Sequence, residues 1–247
     1  MTRLLASVTN RAEALLAMAA GADIIDLKNP AAGALGALPL VVIEEVAATV
    51  GGLKPVSATI GDLPMKPALL VDAVRNMAAT GVDFIKIGFF DGNNVAACLE
   101  ALAPLTAKGT KLVAVLFADR APDFDLLPQL RDSGFYGVML DTCVKDGRNL
   151  LDHLPVIDLQ AFISRAKKHR LYSGLAGSLG ISHIEKLTAL QPDYLGFRGA
   201  LCLGAERKAA VSRDKLHALC EMLQKYNITS QGALKAQDTQ GYALHRN

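Results

Sequence analysis

Short apolar runs of strand composition alternate along the chain with segments whose apolar residues recur at helical spacing. The runs are RLLASV (3 to 8), DIIDLKN (23 to 29), PVSATI (55 to 60), FIKIGF (84 to 89), KLVAVLFA (111 to 118), YGVMLD (136 to 141), LYSGLAGS (171 to 178) and YLGFRG (194 to 199). Between them lie segments such as RAEALLAMAA, LVDAVRNMAA and VSRDKLHALCEMLQ. Gly21, Gly81 and Gly134 each follow a helical segment and precede a strand, where a C-terminal cap is needed.

Eight strand-helix units at intervals of roughly 20 to 35 residues predict a single-domain α/β fold, the (β/α)8 or TIM barrel, typically about 250 residues long. An open doubly wound sheet is the alternative, but no GxGxxG follows the first run and the count of eight favours closure. Residues 1–226 are expected to form the catalytic barrel. From about position 227 the chain turns polar and aperiodic, which predicts a C-terminal tail or an accessory helix over 227–247.

Composition supports this class. The 247 residues are 51% hydrophobic, mostly Ala, Leu, Val and Ile without Trp, as in helices packed over a parallel sheet. A formal charge of +2, with no basic cluster interleaved with aromatics, argues against nucleic acid as a partner. Apolar runs stop well short of the roughly 20 residues of a membrane span, and MTRLLASVTN has no signal-peptide core. A cytoplasmic enzyme is the expectation. Cys98, Cys143, Cys202 and Cys220 are scattered, with neither a disulfide framework nor zinc spacing. Neither a metal nor a cofactor is called for, and a homo-oligomer is expected.

The chemistry collects at strand ends. Side chains at i and i+2 share a face of a strand. In DIIDLKN this groups Ile24, Asp26 and Lys28 against the apolar face of Ile25 and Leu27, so both charges point into the barrel near its C-terminal mouth, where such barrels keep their active sites. The same alternation turns Lys86 of FIKIGF and Asp141 of YGVMLD inward, with Lys145 following in the loop VKDG. Unpaired buried charges cost several kcal/mol. Lys-Asp salt bridges closing the barrel would satisfy them, but would not explain their gathering at the mouth.

A desolvated lysine crowded by a second cation loses its proton more easily and can then attack a carbonyl to form a Schiff base, with the other lysine and the carboxylates shuttling protons. This is class I aldolase logic, and periodicity does not separate Lys28 from Lys86 as the nucleophile. The Gly-rich loops GLAGSLGISH and GFRGALCLG follow the last two runs, where barrels often bind phosphate. Gly177, Ser178, Arg198 and Gly199 are the candidates, although Arg198 could equally pair with a carboxylate. Asp119 adds a further polar group at the mouth or pairs with Arg120. Ser57 and Thr59 bond to substrate or to neighbours. An amine to activate a carbonyl and an anion site together would suit a small phosphorylated aldehyde substrate.

The segments GADIIDLKNP, VSATIGD, DFIKIGFF, VMLDTCVKDG, LAGSL and GFRGA, in this order, resemble the (5-formylfuran-3-yl)methyl phosphate synthases, also called 4-(hydroxymethyl)-2-furancarboxaldehyde-phosphate synthases. The resemblance implies a (β/α)8 lyase of methanofuran biosynthesis that joins two glyceraldehyde 3-phosphate molecules with loss of phosphate and water. It implies Lys28 as the Schiff-base lysine and Lys86 as the proton-transfer residue, with Asp26, Asp141 and Lys145 at the other active-site positions. After Gly199 the chain departs from the family pattern, with Leu203 and Ala205 in place of a Lys- and Gly-rich stretch, and Arg207 is the residue left to face a ligand. Two other readings compete: a decarboxylase-type barrel whose Asp-x-Lys protonates a carbanion without an imine, and a non-catalytic phosphate-metabolite binder.

Overall fold

The computed structural model describes residues 1–90 and 94–243, with side chains described up to residue 228. Eight parallel strands close in sequence order: β1 (Arg3–Val8), β2 (Ile24–Leu27), β3 (Val56–Thr59), β4 (Phe84–Gly88), β5 (Leu112–Phe117), β6 (Gly137–Asp141), β7 (Tyr172–Leu175) and β8 (Tyr194–Phe197). β8 returns to β1 through the register Leu5↔Gly196, which closes the barrel. Every strand of the sequence reading is present; β1 coincides with its apolar run and the other seven are shorter than theirs.

The helices are α1 (Arg11–Ala19), α2 (Leu40–Val50), α3 (Pro67–Ala78), α4 (Val95–Thr106), α5 (Leu126–Asp132), α6 (Leu150–His153), α7 (Val156–Lys168), α8 (Ile184–Thr188) and α9 (Arg213–Ala243). Gly21, Gly81 and Gly134 take φ of 94°, 83° and 78°, the left-handed conformation that ends a helix and that side chains disfavour. α9 passes position 227 without a break, and there Asn227 exchanges hydrogen bonds with the backbone of Thr2. Of the stretch 227–247, the side chains beyond 228 and all of 244–247 lie outside the described residues.

Strand alternation sorts the core into two layers. Ile25 and Leu27 pack outward against the helices, whereas Leu5, Ile24, Val113, Val115, Phe117 and Met139 fill the barrel interior. The N-terminal end is filled by an aromatic series from Phe84 through Tyr136 and Tyr172 to Tyr194, with successive ring centroids 5.0, 5.6 and 5.6 Å apart. Such contacts add about 0.5–1.5 kcal/mol each beyond area burial.

At the C-terminal end the loop between β2 and α2 dips inward. It places Leu35, fully buried, beside Phe90, which stacks on Phe117 at 4.7 Å. Gly88 makes room, since a Cβ there would sit 2.6 Å from Phe90 and 2.9 Å from Leu35. This apolar wedge covers the β4 and β5 side of the mouth and leaves the space beside β6, β7, β8, β1 and β2 open. Among the described residues, no helix is long and apolar enough to cross a membrane.

Candidate active site

The open half of the mouth is a cavity of about 390 Å³ whose walls include Asp26, Lys28, Lys86, Asp141 and Lys145. Strand ends and the β6–α6 loop thus bring together all five charged residues singled out as catalytic candidates. They form two connected pairs. Deeper in the barrel, Lys86 Nζ lies 2.5 Å from Asp26 Oδ1, with both side chains almost wholly buried. Nearer the opening, Asp141 accepts from Lys28 at 3.4 Å through Oδ2 and from Lys145 at 3.0 Å through Oδ1.

Asp26 is the most constrained group. Ser57 Oγ donates to its Oδ1 at 2.6 Å and Ser7 Oγ to its Oδ2 at 2.7 Å. Burial alone would raise its pKa. The charges of Lys86 and Lys28 and these hydrogen bonds prevail and lower it, so Asp26 stays ionised. Asp141 is driven down in the same way: Lys145, Lys28 and the Thr142 N–H outweigh its desolvation.

Two of the lysines are shifted toward the neutral amine. Desolvation is the main cause for Lys86; the charge of Lys28 acts with it, and Asp26 opposes both without reversing the shift. Lys145 is lowered by burial first and by Lys28, again against a carboxylate, here Asp141. Three lysines and Arg207 share this wall with two carboxylates, so basic groups outnumber acidic ones there, which suits a phosphate ester.

The loops after β7 and β8 form another wall of the cavity. Gly177, Ser178, Gly199 and Ala200 border the cavity. Among the described residues, the N–H groups of Ser178, Gly199 and Ala200 meet no protein acceptor. Gly177 turns the chain with φ 107°, and a Cβ there would meet Thr142 at 2.9 Å.

Of the two sequence readings of Arg198, a phosphate grip or a carboxylate pair, the structure shows the pair. Its Nη1 and Nη2 pair with Glu13 at 2.6 and 3.3 Å, and its remaining N–H groups donate to the carbonyls of Ser7, Arg207 and Ala209. All five donors of the guanidinium are thereby used within the protein. Arg198 ties β1, α1 and the β8–α9 loop together. Both arginines border the cavity, but among the described residues Arg207 commits only one N–H, to Gly33 O, and so has donors left to offer a ligand.

Asp119 lies outside the cavity wall and accepts the N–H groups of Cys143 and Val144 at 2.8 and 2.7 Å, bracing the segment that leads to Lys145. Thr59 bonds to Gly36 O rather than facing the site. Ser7 was not singled out from the sequence, although its position two residues beyond Leu5 on the inner face of β1 was a readable signal. Glu13, on a helix, gave no such signal. Among the described residues, no group of three His, Cys, Asp or Glu side chains could hold a metal ion.

The arrangement offers a carbonyl-reactive amine, ionised carboxylates to relay protons, and an anion seat. Residues 4–220 match the family model described as 4-HFC-P synthase. A protein of Methylorubrum extorquens is 42% identical over 222 residues, 90% of this chain and 92% of its own length. The (5-formylfuran-3-yl)methyl phosphate synthase of Methanosarcina acetivorans is 36% identical, with 89% of this chain and 100% of its own covered. That of Methanothermobacter thermautotrophicus is 37% identical, with 90% and 99% covered. Among solved structures, phosphoribosyl anthranilate isomerase from Thermotoga maritima aligns with a TM-score of 0.67 at 12% identity, covering 91% of this chain and 100% of its own. The 3-hexulose-6-phosphate synthase of Salmonella typhimurium aligns at 0.62 and 17%, with the same coverage. These two likenesses are of fold alone.

Proposed function

The chain belongs to the 4-HFC-P synthase family, and from that premise we propose that it condenses two glyceraldehyde 3-phosphate molecules into 4-(hydroxymethyl)-2-furancarboxaldehyde phosphate through a Schiff base on Lys28. Phosphate and water leave, and the product serves a methanofuran-type C1 carrier.

The observation that carries this reading is the unequal tethering of the two lysines. Both lysines line the cavity, but Lys86 is held at 2.5 Å by a carboxylate that Ser57 and Ser7 also engage, whereas Lys28 is held by its carboxylate at 3.4 Å. The loosely held amine is the one free to reach a carbonyl. An imine also needs its carbon-bound proton removed. Lys86, with its pKa lowered and its partner Asp26 ionised, suits that base. Asp141 holds Lys28 and Lys145 in reach of one another and balances the charge of an iminium. Phosphate is received by the amides of Ser178, Gly199 and Ala200 and by Arg207.

Borohydride reduction in the presence of glyceraldehyde 3-phosphate, followed by peptide mass spectrometry, is expected to find a stable adduct on Lys28. Full turnover to a furan absorbance with Lys28 unmodified would rule out the imine and favour a lysine that only protonates a carbanion.

A further inference from the structure

A second concavity opens on the other side of Arg207 and Lys145, which line both spaces. Its facing walls are the β2–α2 loop at Ala31 and Gly33 and the β8–α9 loop at Lys208. Arg207 is anchored at one corner only, donating from Nη2 to Gly33 O at 3.0 Å. Among the described residues its other N–H groups meet no protein acceptor, so its fork is offered between the two spaces. Two acids also border the concavity. Asp62 is committed, its oxygens accepting from the N–H groups of Ala34 and Leu35 at 2.8 and 2.7 Å. Glu206 is exposed. The groups left to recognise a ligand are therefore chiefly cationic.

On the reading given above, two triose phosphates react together, and when they meet before phosphate is lost, two phosphate groups are held at once. Both dianions in one cavity repel, and the repulsion falls with separation and with a cation placed between them. Arg207 and Lys145 stand in that intermediate position. We propose that the side concavity seats the phosphate of the second triose phosphate, gripped by Arg207 and Lys208, while the first phosphate occupies the amides of the β7 and β8 loops. The proposal rests on the two-substrate reading of the reaction.

The test uses glycerol 3-phosphate, which has the phosphate but no carbonyl, and two variants at exposed positions, Lys208→Glu and Ala31→Trp. Calorimetric titration is expected to count two equivalents per chain for the unmodified protein and one for each variant. With glyceraldehyde 3-phosphate, both variants should still give the borohydride adduct on Lys28, while furan formation below saturation falls about tenfold or more. Two equivalents in both variants, or undiminished furan formation in both, overturns the proposal. Inorganic phosphate, which the reaction releases, is titrated in parallel. Weaker binding of it at the second site upholds a substrate seat, and tighter binding overturns that assignment. Absence of any Lys28 adduct in the unmodified protein sinks the imine reading instead. The binding count then decides the side seat alone, upheld by two equivalents and overturned by one.

Discussion

Lys86 Nζ and Asp26 Oδ1 stand 2.5 Å apart in the barrel interior, the lysine 2% exposed and the aspartate not at all. Removing one member of such a pair leaves a buried charge without its counterion, which costs about 3–5 kcal/mol, whereas removing both is often far less costly. We predict that Asp26→Asn and Lys86→Met each destabilise the fold by about that amount, and that the double variant loses much less than the sum. Urea unfolding measures it. Additive losses would show that the two groups do not depend on each other.

The same lysine sets an expectation for pH. Burial and the charge of Lys28 lower its pKa below the usual lysine range in spite of Asp26. A base with a lowered pKa is neutral at a lower pH, so the rate should rise with pH and level off below about 10.4, the ordinary lysine value. Asp26 and Asp141 are shifted the other way, downward, and stay ionised throughout that window. Lys86→Gln should remove the rising limb as well as most of the rate. A limb that persists unchanged in this variant assigns the titration to another group.

Arg198 and Arg207 lie nine positions apart and predict opposite phenotypes. Arg198→Lys cannot serve Glu13 and three backbone carbonyls at once, and the expected result is a loss of about 3–5 kcal/mol in stability. Arg207→Gln breaks one bond to Gly33 O and should leave the melting temperature within a few degrees while raising KM for the phosphorylated substrate about tenfold or more. A stable Arg198→Lys protein with a selectively raised KM would restore Arg198 as the phosphate grip.

These contrasts mark what the sequence could convey. Alternation along DIIDLKN, FIKIGF and YGVMLD placed Asp26, Lys86 and Asp141 on the inner face because a two-residue period is local and survives any packing. Whether an inward arginine meets a ligand or a carboxylate is not local. Arg198 is committed to Glu13, 185 positions away, which no spacing rule connects. Asp119 is similar: it follows the inner-face series Val113, Val115 and Phe117, but a single helical turn over Ala118–Arg120 breaks the alternation and swings its carboxylate to the next loop. Periodicity does not separate Lys28 from Lys86, since both satisfy the same pattern; the proposal of Lys28 as nucleophile rests on the family resemblance and on the longer distance to its carboxylate.

Asp119 therefore makes the last prediction. Its two oxygens accept the N–H groups of Cys143 and Val144, so the β6–α6 loop is held immediately before Lys145, whose Nζ reaches Asp141 at 3.0 Å and Thr142 Oγ1 at 3.0 Å. An asparagine keeps the shape but turns one acceptor into a donor facing an N–H. That costs about 1–3 kcal/mol and frees one end of the loop. Asp119→Asn should therefore lower kcat/KM through a poorly placed Lys145, with inhibition by inorganic phosphate unchanged, because the proposed anion seat lies on the β7 and β8 loops. If Asp119 instead faced the ligand, removing its negative charge would relieve repulsion and tighten phosphate inhibition. Inhibition constants for phosphate in the two proteins decide between bracing the loop and touching the substrate.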